Sequence, residues 1–259
     1  MGRGLASRRM PDEAILETRG LRKEFQGFVA VNGIDLSVKR GSIHALIGPN
    51  GAGKTTVFNL LTRFLPATSG SILYEGEDVT RLRPAEVARK GLVRSFQISA
   101  VFPRLTVLEN VRVALQRPLG TSFQFWRSQR SLEVLHARAL ELLASVGLEE
   151  LAETLTVELP YGRKRALELA TTLALEPELL LLDEPTQGMG QEDVGRVVAL
   201  IRKASAGRTV LMVEHNLSVV ADLCQTITVL ARGSVLAEGT YEEVSRDPAV
   251  LEAYIGTAA

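Results

Sequence analysis

Cys224 is the only cysteine in the 259-residue chain. One thiol forms neither an internal disulfide nor a zinc cluster, which excludes the disulfide-stapled secreted scaffolds and fits a reducing cytosol. Its ordinary place is a small core site. No stretch approaches the roughly 18 successive apolar residues of a membrane-crossing helix. The opening residues MGRGLASRRMPDE carry charge without the apolar run of a secretory signal. An excess of either charge is lacking as well: 30 Lys plus Arg stand against 30 Asp plus Glu, so nothing draws the chain in bulk to nucleic acid or to an anionic membrane. Internal repeats and low-complexity segments are absent. Aromatic residues are sparse, and the one tryptophan, Trp126, is expected to serve packing.

What is present is an ordinary globular composition, 46% apolar and 23% charged, long enough for one large domain. Residues 1–12 are expected to be a flexible tail. Short apolar runs then predict strands at about 15–19 and 29–37, with Asn32-Gly33 as a turn signal. Ile43–Ile47 reads as a buried strand that runs into Gly48-Pro49-Asn50-Gly51-Ala52-Gly53. From Lys54 onward Val57, Phe58, Leu61 and Phe64 repeat at helical spacing. Further strands are expected at 71–74 and 91–97. From about 107 to 152 the pattern turns helical, with Leu132, Leu135, Leu140, Leu143 and Val146 in phase and a loose connection at 118–125. Leu179–Leu182 is a continuous apolar run, as a strand buried on both faces requires. A helix at about 191–205, a strand at 209–213, a strand at 226–231, a hairpin at Arg232-Gly233, a strand at 234–237 and short helices to Gly256 complete the chain. Strands alternating with helices predict an α/β fold with a parallel core sheet.

Three motifs carry chemistry. Gly48-Pro49-Asn50-Gly51-Ala52-Gly53-Lys54-Thr55 is a P-loop, G-x-x-x-x-G-K-[ST], between a strand and a helix. Its glycines let successive backbone N–H groups point at phosphate oxygens, and the helix adds its positive dipole end. Lys54 is placed to reach the β- and γ-phosphates, Thr55 to bind Mg²⁺ and Thr56 to add a donor to the α-phosphate. The run Leu179–Leu182 ends in Asp183-Glu184; Asp183 is expected to hold Mg²⁺ through water and Glu184 to polarise the attacking water as general base. His215 follows the strand 209–213. All three motifs fall after predicted strands, where open α/β sheets gather ligands. His44, in a predicted strand, and His136, on a predicted helix, read as structural.

These residues support a P-loop ATPase, and their order resembles a particular family. Phe25, the P-loop, Gln97, Leu159-Pro160-Tyr161-Gly162-Arg163, Leu179–Glu184 and His215 are similar in order and spacing to the ABC ATPase subunits over about residues 14–257. The resemblance implies a P-loop ATPase core with a parallel sheet, an N-terminal antiparallel β subdomain and an inserted helical subdomain at about 98–178, all within a single domain at 13–257. It implies that Phe25 stacks on adenine, that Gln97 senses Mg²⁺ and the attacking water, and that His215 contacts the γ-phosphate. Asn50, Gly51, Ala52 and Gly53 would cradle the phosphates of ATP. Tyr161, Gly162 and Arg163 would cap the ATP held by a second subunit.

A finer likeness is to the branched-chain amino acid importer ATPases, carried by Phe96-Gln97, Val101-Phe102-Pro103, Leu105–Asn110, Val213–Asn216 and Glu252–Gly256. The end at 259 leaves no room for the extra C-terminal regulatory domain of some sugar importers. Two departures stand out. The signature motif usually has Ser second and Gln fifth, where this chain has Pro160 and Arg163, and Gly190 stands where Asp or Asn is usual. The resemblance thus implies an ATPase subunit paired with a second one, a heterodimer being favoured over a homodimer. Transmembrane permease subunits would dock near residues 97–105, a solute-binding protein would act indirectly, and nucleic acid would play no part. The chain would sit in the cytoplasm, peripheral on the inner face of the cell membrane. Export of another cargo such as lipopolysaccharide remains open, as does a soluble ABC ATPase of DNA repair or translation. The latter usually needs coiled-coil inserts or two ATPase domains. A metabolic P-loop kinase would have no use for 159–163 or His215.

Overall fold

The computed structural model describes residues 13–95, 101–116 and 129–255. The expectations for residues 1–12, for Phe96 and Gln97 and the rest of 96–100, for 118–125, for Trp126 and for 256–257 fall outside these residues.

Two sheets form. The first is antiparallel, in the order β2-β1-β4-β5, from β1 (Ala14–Phe25), β2 (Phe28–Lys39), β4 (Ser69–Tyr74) and β5 (Glu77–Asp78). The second is in the order β10-β9-β3-β8-β7-β6, from β3 (Ile43–Ile47), β6 (Leu92–Ser95), β7 (Leu179–Asp183), β8 (Thr209–Val213), β9 (Thr226–Ala231) and β10 (Ser234–Gly239). Its pairs are parallel except for β10, which closes one edge antiparallel to β9. Helix α1 (Lys54–Leu61) follows the glycine loop, and α2 (Pro84–Arg89) precedes β6. The helical region holds α3 (Val107–Gln116), α4 (Gln129–Ser145) and α5 (Tyr161–Leu173). Helix α6 (Gln191–Ala204) joins β7 to β8, α7 (Leu217–Leu223) joins β8 to β9, and α8 (Tyr241–Arg246) and α9 (Pro248–Ile255) follow β10. No helix among the described residues is long and apolar enough to cross a membrane.

The first hairpin turns at Gln26-Gly27, with φ of 47° and 91°, in the gap between the two expected strands and not at the Asn32-Gly33 turn signal. Two positive φ values in a two-residue connection match the right-handed twist of the strands it joins. Asn32-Gly33 lies inside β2, where the register against β1 shifts between the pairs Leu21↔Ile34 and Lys23↔Val31. It is a bulge, and it frees the Asn32 N–H to donate to the Gly233 carbonyl at 2.7 Å. That bond ties the first sheet to the β9–β10 turn.

All five residues of β3, of β7 and of β8 are buried. Alternate side chains enter two separate cores. Ile43, Ala45, Leu180, Leu182, Val210 and Met212 face the core shared with α3, α4 and α5. Leu46, Leu179, Leu181, Leu211 and Val213 face the core shared with α1 and the antiparallel sheet. The helical region is pinned by Asn110, 2% exposed, whose amide donates to the carbonyls of Phe102 and Thr106 and to Thr156 Oγ1, while Phe102 N–H donates to its Oδ1. Thr106 and Glu109 form the reciprocal cap that starts α3.

His44 is the polar exception within β3. Its Nε2 lies 2.7 Å from Thr228 Oγ1, and that hydroxyl donates to Glu238 Oε2 at 2.6 Å. Nε2 is therefore the protonated nitrogen of a neutral ring. Burial pushes the His44 pKa down to about 4 from an ordinary 6.5. Between those values the unfolded chain binds the extra proton, so this contribution to stability is complete above about pH 6.5 and is lost as pH falls toward 4. Its full size is on the order of 3 kcal/mol. Chemical denaturation at pH 4.5 and 7.5 should show wild type losing more stability on acidification than His44→Val, which cannot titrate; equal losses would contradict this reading.

Candidate functional site

The glycine loop leaves β3 between the ends of β8 and β9. Gly48 has φ 148°, and a Cβ there would stand 2.1 Å from the Leu230 carbonyl oxygen; at Gly53, φ 101°, it would stand 2.6 Å from that of Ala30. Any side chain at either position would push the loop off β9 or β2, so the curl exists only with glycine. The loop is braced from behind as well: Gly233 N–H donates to the Ala52 carbonyl, and Gly48 N–H donates to the Tyr254 hydroxyl from α9. Asn50, Gly51 and Thr55 are exposed, Gly53 and Thr56 half-buried, and Ala52 buried as the inward anchor.

Lys54 is 6% exposed, and its Nζ donates to the carbonyls of Gly48 at 2.6 Å and Pro49 at 3.0 Å. Burial lowers its pKa and the charge of Glu184 opposes that. The ammonium is thus held inside the loop, at the start of α1 and within electrostatic reach of Glu184. Curled backbone, helix N-terminus and held cation together suit a polyphosphate.

Asp183 and Glu184 end β7, next to β8 in the sheet. Asp183, 5% exposed, is paired with Arg94 of β6. The Arg94 guanidinium also donates to Asn59 Oδ1 at 2.7 Å and lies 5.6 Å from the centre of the Phe58 ring. The sequence reading missed Arg94, because an arginine inside a short strand signals nothing until its partners are known. Glu184 has a φ of 49°, uncommon for a residue with a side chain. Its N–H donates to the Val213 carbonyl at 2.9 Å, and its Oε1 lies 2.6 Å from His215 Nε2. The two residues singled out after neighbouring strands therefore meet directly.

Glu214 was also missed. It is 2% exposed, and it accepts hydrogen bonds from the loop after Glu184 and from the turn carrying His215. Asn216 then caps α7, its side chain accepting from Ser218 N–H and Val219 N–H.

The segment 159–163 opens α5. Pro160 is the residue before the helix and contributes no side-chain cap. Tyr161 is 40% exposed; its hydroxyl donates to the Gln187 carbonyl at 3.2 Å and accepts from Arg165 at 3.1 Å. A Cβ at Gly162 would stand 3.3 Å from the Asp193 carboxylate, so α5 and α6 approach closely there. The Arg163 guanidinium donates to the Gly147 carbonyl at 2.6 Å, beyond the end of α4. Phe25, 42% exposed, flanks the hairpin turn with Lys23 Nζ 5.0 Å from its ring centre. The structure thus brings Lys54, Asp183, Glu184 and His215 to one sheet edge, with Phe25 at the tip of the first hairpin and 159–163 at the start of a separate helix.

This arrangement suits displacement at a phosphate by water. A carboxylate fixed in a constrained turn is suited to take the proton of an attacking water, and an imidazole in contact with it is suited to orient it. Glu184→Gln keeps the shape but cannot accept that proton. Single-turnover assays should show hydrolysis slowed roughly 100-fold or more with nucleotide affinity retained, and sizing in ATP should show a longer-lived nucleotide-bound dimer. A near-normal rate would remove Glu184 from this role.

Comparison with known proteins shows the family. The family model described as ABC transporter matches residues 31–187, and that described as branched-chain amino acid ATP-binding cassette transporter matches residues 234–259. The chain is 40% identical over 254 residues to the high-affinity branched-chain amino acid transport ATP-binding protein BraF of Pseudomonas aeruginosa, covering 94% of this chain and 98% of that one. Its structure is similar to the ADP conformation of MJ1267, an ATP-binding cassette of an ABC transporter, with a TM-score of 0.82 and 30% identity over 94% of this chain and 99% of that one. It is also similar to the dimeric structure of MJ0796, a bacterial ABC transporter cassette, with a TM-score of 0.74 and 26% identity over 87% of this chain and 98% of that one. Likeness on this scale, in sequence and in fold, places the chain: it belongs to the ABC transporter ATPases, in the group of the branched-chain amino acid transport ATP-binding proteins.

Proposed function

We propose that this chain hydrolyses ATP to drive an importer of branched-chain or related amino acids, working as a peripheral subunit on the inner face of the cell membrane. The observation that carries the choice of cargo is the match of residues 234–259 to the branched-chain group, in addition to the general match at 31–187. The test is to purify the intact complex and measure which solutes its binding protein retains and which stimulate hydrolysis. Leucine, isoleucine or valine should do both; stimulation by an unrelated solute alone would overturn the cargo.

In this reading Lys54 holds the β- and γ-phosphates, Thr56 adds a donor to the α-phosphate, Phe25 stacks on adenine, Glu184 takes the proton of the attacking water and His215 orients it at the γ-phosphate. The Thr55 hydroxyl and the Asp183 carboxylate are hard oxygen donors beside a phosphate cradle, a set that fits Mg²⁺. When bound, that ion neutralises charge on the phosphate oxygens. Arg94 fixes one oxygen of Asp183 and so sets how the other is presented. Gln97 would report on the same place.

Docking of a permease segment near 97–105 is supported by a groove of about 510 Å³ between α1, α2, β6, α3 and α5. Phe64, Ala88, Phe102, Val113 and Leu175 are among the residues that line it, and Phe64, Phe102 and Val113 are exposed apolar residues. Phe102 is held there by its backbone bonds to Asn110 rather than by burial of its ring, 54% exposed for the residue. An apolar patch fixed in place this way fits the face of an amphipathic helix. Phe102→Asp should leave the isolated chain folded with unchanged melting temperature and nucleotide affinity, yet abolish its co-purification with the permease. Loss of folding, or a complex that survives, would sink this docking site.

The pair is proposed to be a heterodimer with unequal ATP sites. Pro160 has no hydroxyl to offer a γ-phosphate across the dimer, and the Arg163 guanidinium is engaged by Gly147, so 159–163 offers mainly backbone donors. A missing donor to a charged acceptor is worth ~1.5–3 kcal/mol. The strong site then pairs this chain's Lys54, Glu184 and His215 with a partner's fuller signature. Turnover of the complex should fall much further with Lys54→Ala than with the equivalent substitution in the partner; equal losses would rule the asymmetry out.

A further inference from the structure

A carboxylate that touches no expected ligand sits at the centre of the catalytic edge. Glu214 is 2% exposed, among the most buried charged groups described. A buried charge persists only where donors replace its water, and here four do. Its Oε1 accepts from the N–H of Thr186 at 3.1 Å and from the Thr186 hydroxyl. Its Oε2 accepts from the N–H groups of His215 at 2.6 Å and of Asn216 at 3.1 Å.

The division between the two oxygens is informative. Thr186 stands two residues after Glu184, and His215 is the next residue after Glu214 itself. One oxygen holds the loop that bears the proposed base and the other holds the turn that bears the histidine. The same two segments are joined once more, by the Glu184 N–H to the Val213 carbonyl at 2.9 Å, with Glu184 in the left-handed region at φ 49°. Glu184 is therefore held directly by Val213 and, two residues on, through Thr186 by Glu214. Within this arrangement, Glu184 Oε1 and His215 Nε2 lie 2.6 Å apart.

We propose that Glu214 is a positioning residue for hydrolysis: its carboxylate fixes the loop after β7 against the turn after β8 and thereby sets the contact between Glu184 and His215. All four of its partners are donors, so only a group that accepts with both oxygens fits. Glutamine has nearly the same shape, but its NH₂ would face either the Thr186 pair or the His215–Asn216 pair, and that segment would be released. A misplacement of about 1 Å is enough to lower a rate on the order of 100-fold. The inference rests on the roles proposed for Glu184 and His215. It fails separately from them, because Glu184→Gln tests proton transfer whereas Glu214→Gln leaves both of those side chains in the chain.

The test uses the full chain. It has three histidines, His44, His136 and His215, so its imidazole ¹⁵N spectrum is simple, and His215→Ala assigns the site. His44, held by Thr228 in the interior, is the internal control for the fold. In Glu214→Gln the His215 Nε2 signal should leave its hydrogen-bonded position while the His44 signals stay, ATP affinity should change by no more than a few-fold, and single-turnover hydrolysis should fall roughly 10- to 100-fold. The loss should also be non-additive: on a His215→Ala background, Glu214→Gln should add little, because the pair it positions is already gone. Additive losses, movement of the His44 signals together with those of His215, or wild-type turnover would each overturn the proposal. If Glu214→Gln does not fold, Thr186→Val removes only the hydroxyl donor and keeps the N–H. It should shift the His215 signal in the same direction with a several-fold slower turnover, and a wild-type result in both measurements would overturn the proposal.

Discussion

Three adjacent strands without a solvent-facing side constrain everything else in this molecule. Each apolar side chain of β3, β8 and β7 enters one of two cores, so polar groups have no place there unless a partner accompanies them. The buried polar residues keep to the rule: His44 has Thr228 and Glu238 behind it, Thr209 accepts from the Gly41 N–H, and Asp183 pairs with Arg94. Chemistry is displaced to the strand ends, and because the strands are parallel their carboxyl ends lie on one edge. That is how Lys54, Glu184 and His215, up to 161 residues apart in the chain, come within reach of one another.

The helical region is attached to this core by polar contacts as well as apolar ones. On α5, Arg165 and Glu168 form a buried ion pair at 2.8 Å. Desolvation raises the Glu168 pKa, opposed by Arg165 and by a hydrogen bond with Ser95 at the end of β6. Arg165 continues to the Tyr161 hydroxyl, and Tyr161 to the Gln187 carbonyl. A single chain of contacts thus runs from the end of β6, through the helix that opens with residues 159–163, to the loop after Glu184. Such a network holds only as a whole, since losing one partner strands a buried charge. The helical region and the catalytic edge are coupled by geometry that hydrophobic packing alone would leave free to slide.

Much of this was legible in the residues. The glycine loop, the apolar run before Asp183 and the histidine after a strand each have a local pattern, and the strands 43–47 and 209–213 lie where the pattern puts them. The turn signal at Asn32-Gly33 proved to be a bulge, because Asn-Gly favours positive φ in a bulge as readily as in a turn. Helices α2 and α7 were overlooked because six or seven residues give too few turns for a period to show. Arg94, Glu214 and Asn110 escaped for a different reason. Each is a polar residue whose meaning lies in partners distant in sequence or in backbone groups, and a backbone N–H leaves no letter in a sequence. Only the parity of the strands, which turns Glu214 inward beside an outward His215, could have hinted at its burial.

The bond from Gly48 to Tyr254 joins two stretches that the family comparisons treat separately. The nucleotide loop belongs to the part shared by ABC transporters at large, and α9 to the part that matches the branched-chain group. The phenol accepts from the first glycine of the loop. A residue in the stretch that matches the branched-chain group therefore holds the loop at Gly48, where a Cβ would meet the Leu230 carbonyl oxygen. The shape of the nucleotide loop thus rests in part on the last helix of the chain described, about 200 residues further along, and a change in how α9 packs is felt at the first glycine of the loop.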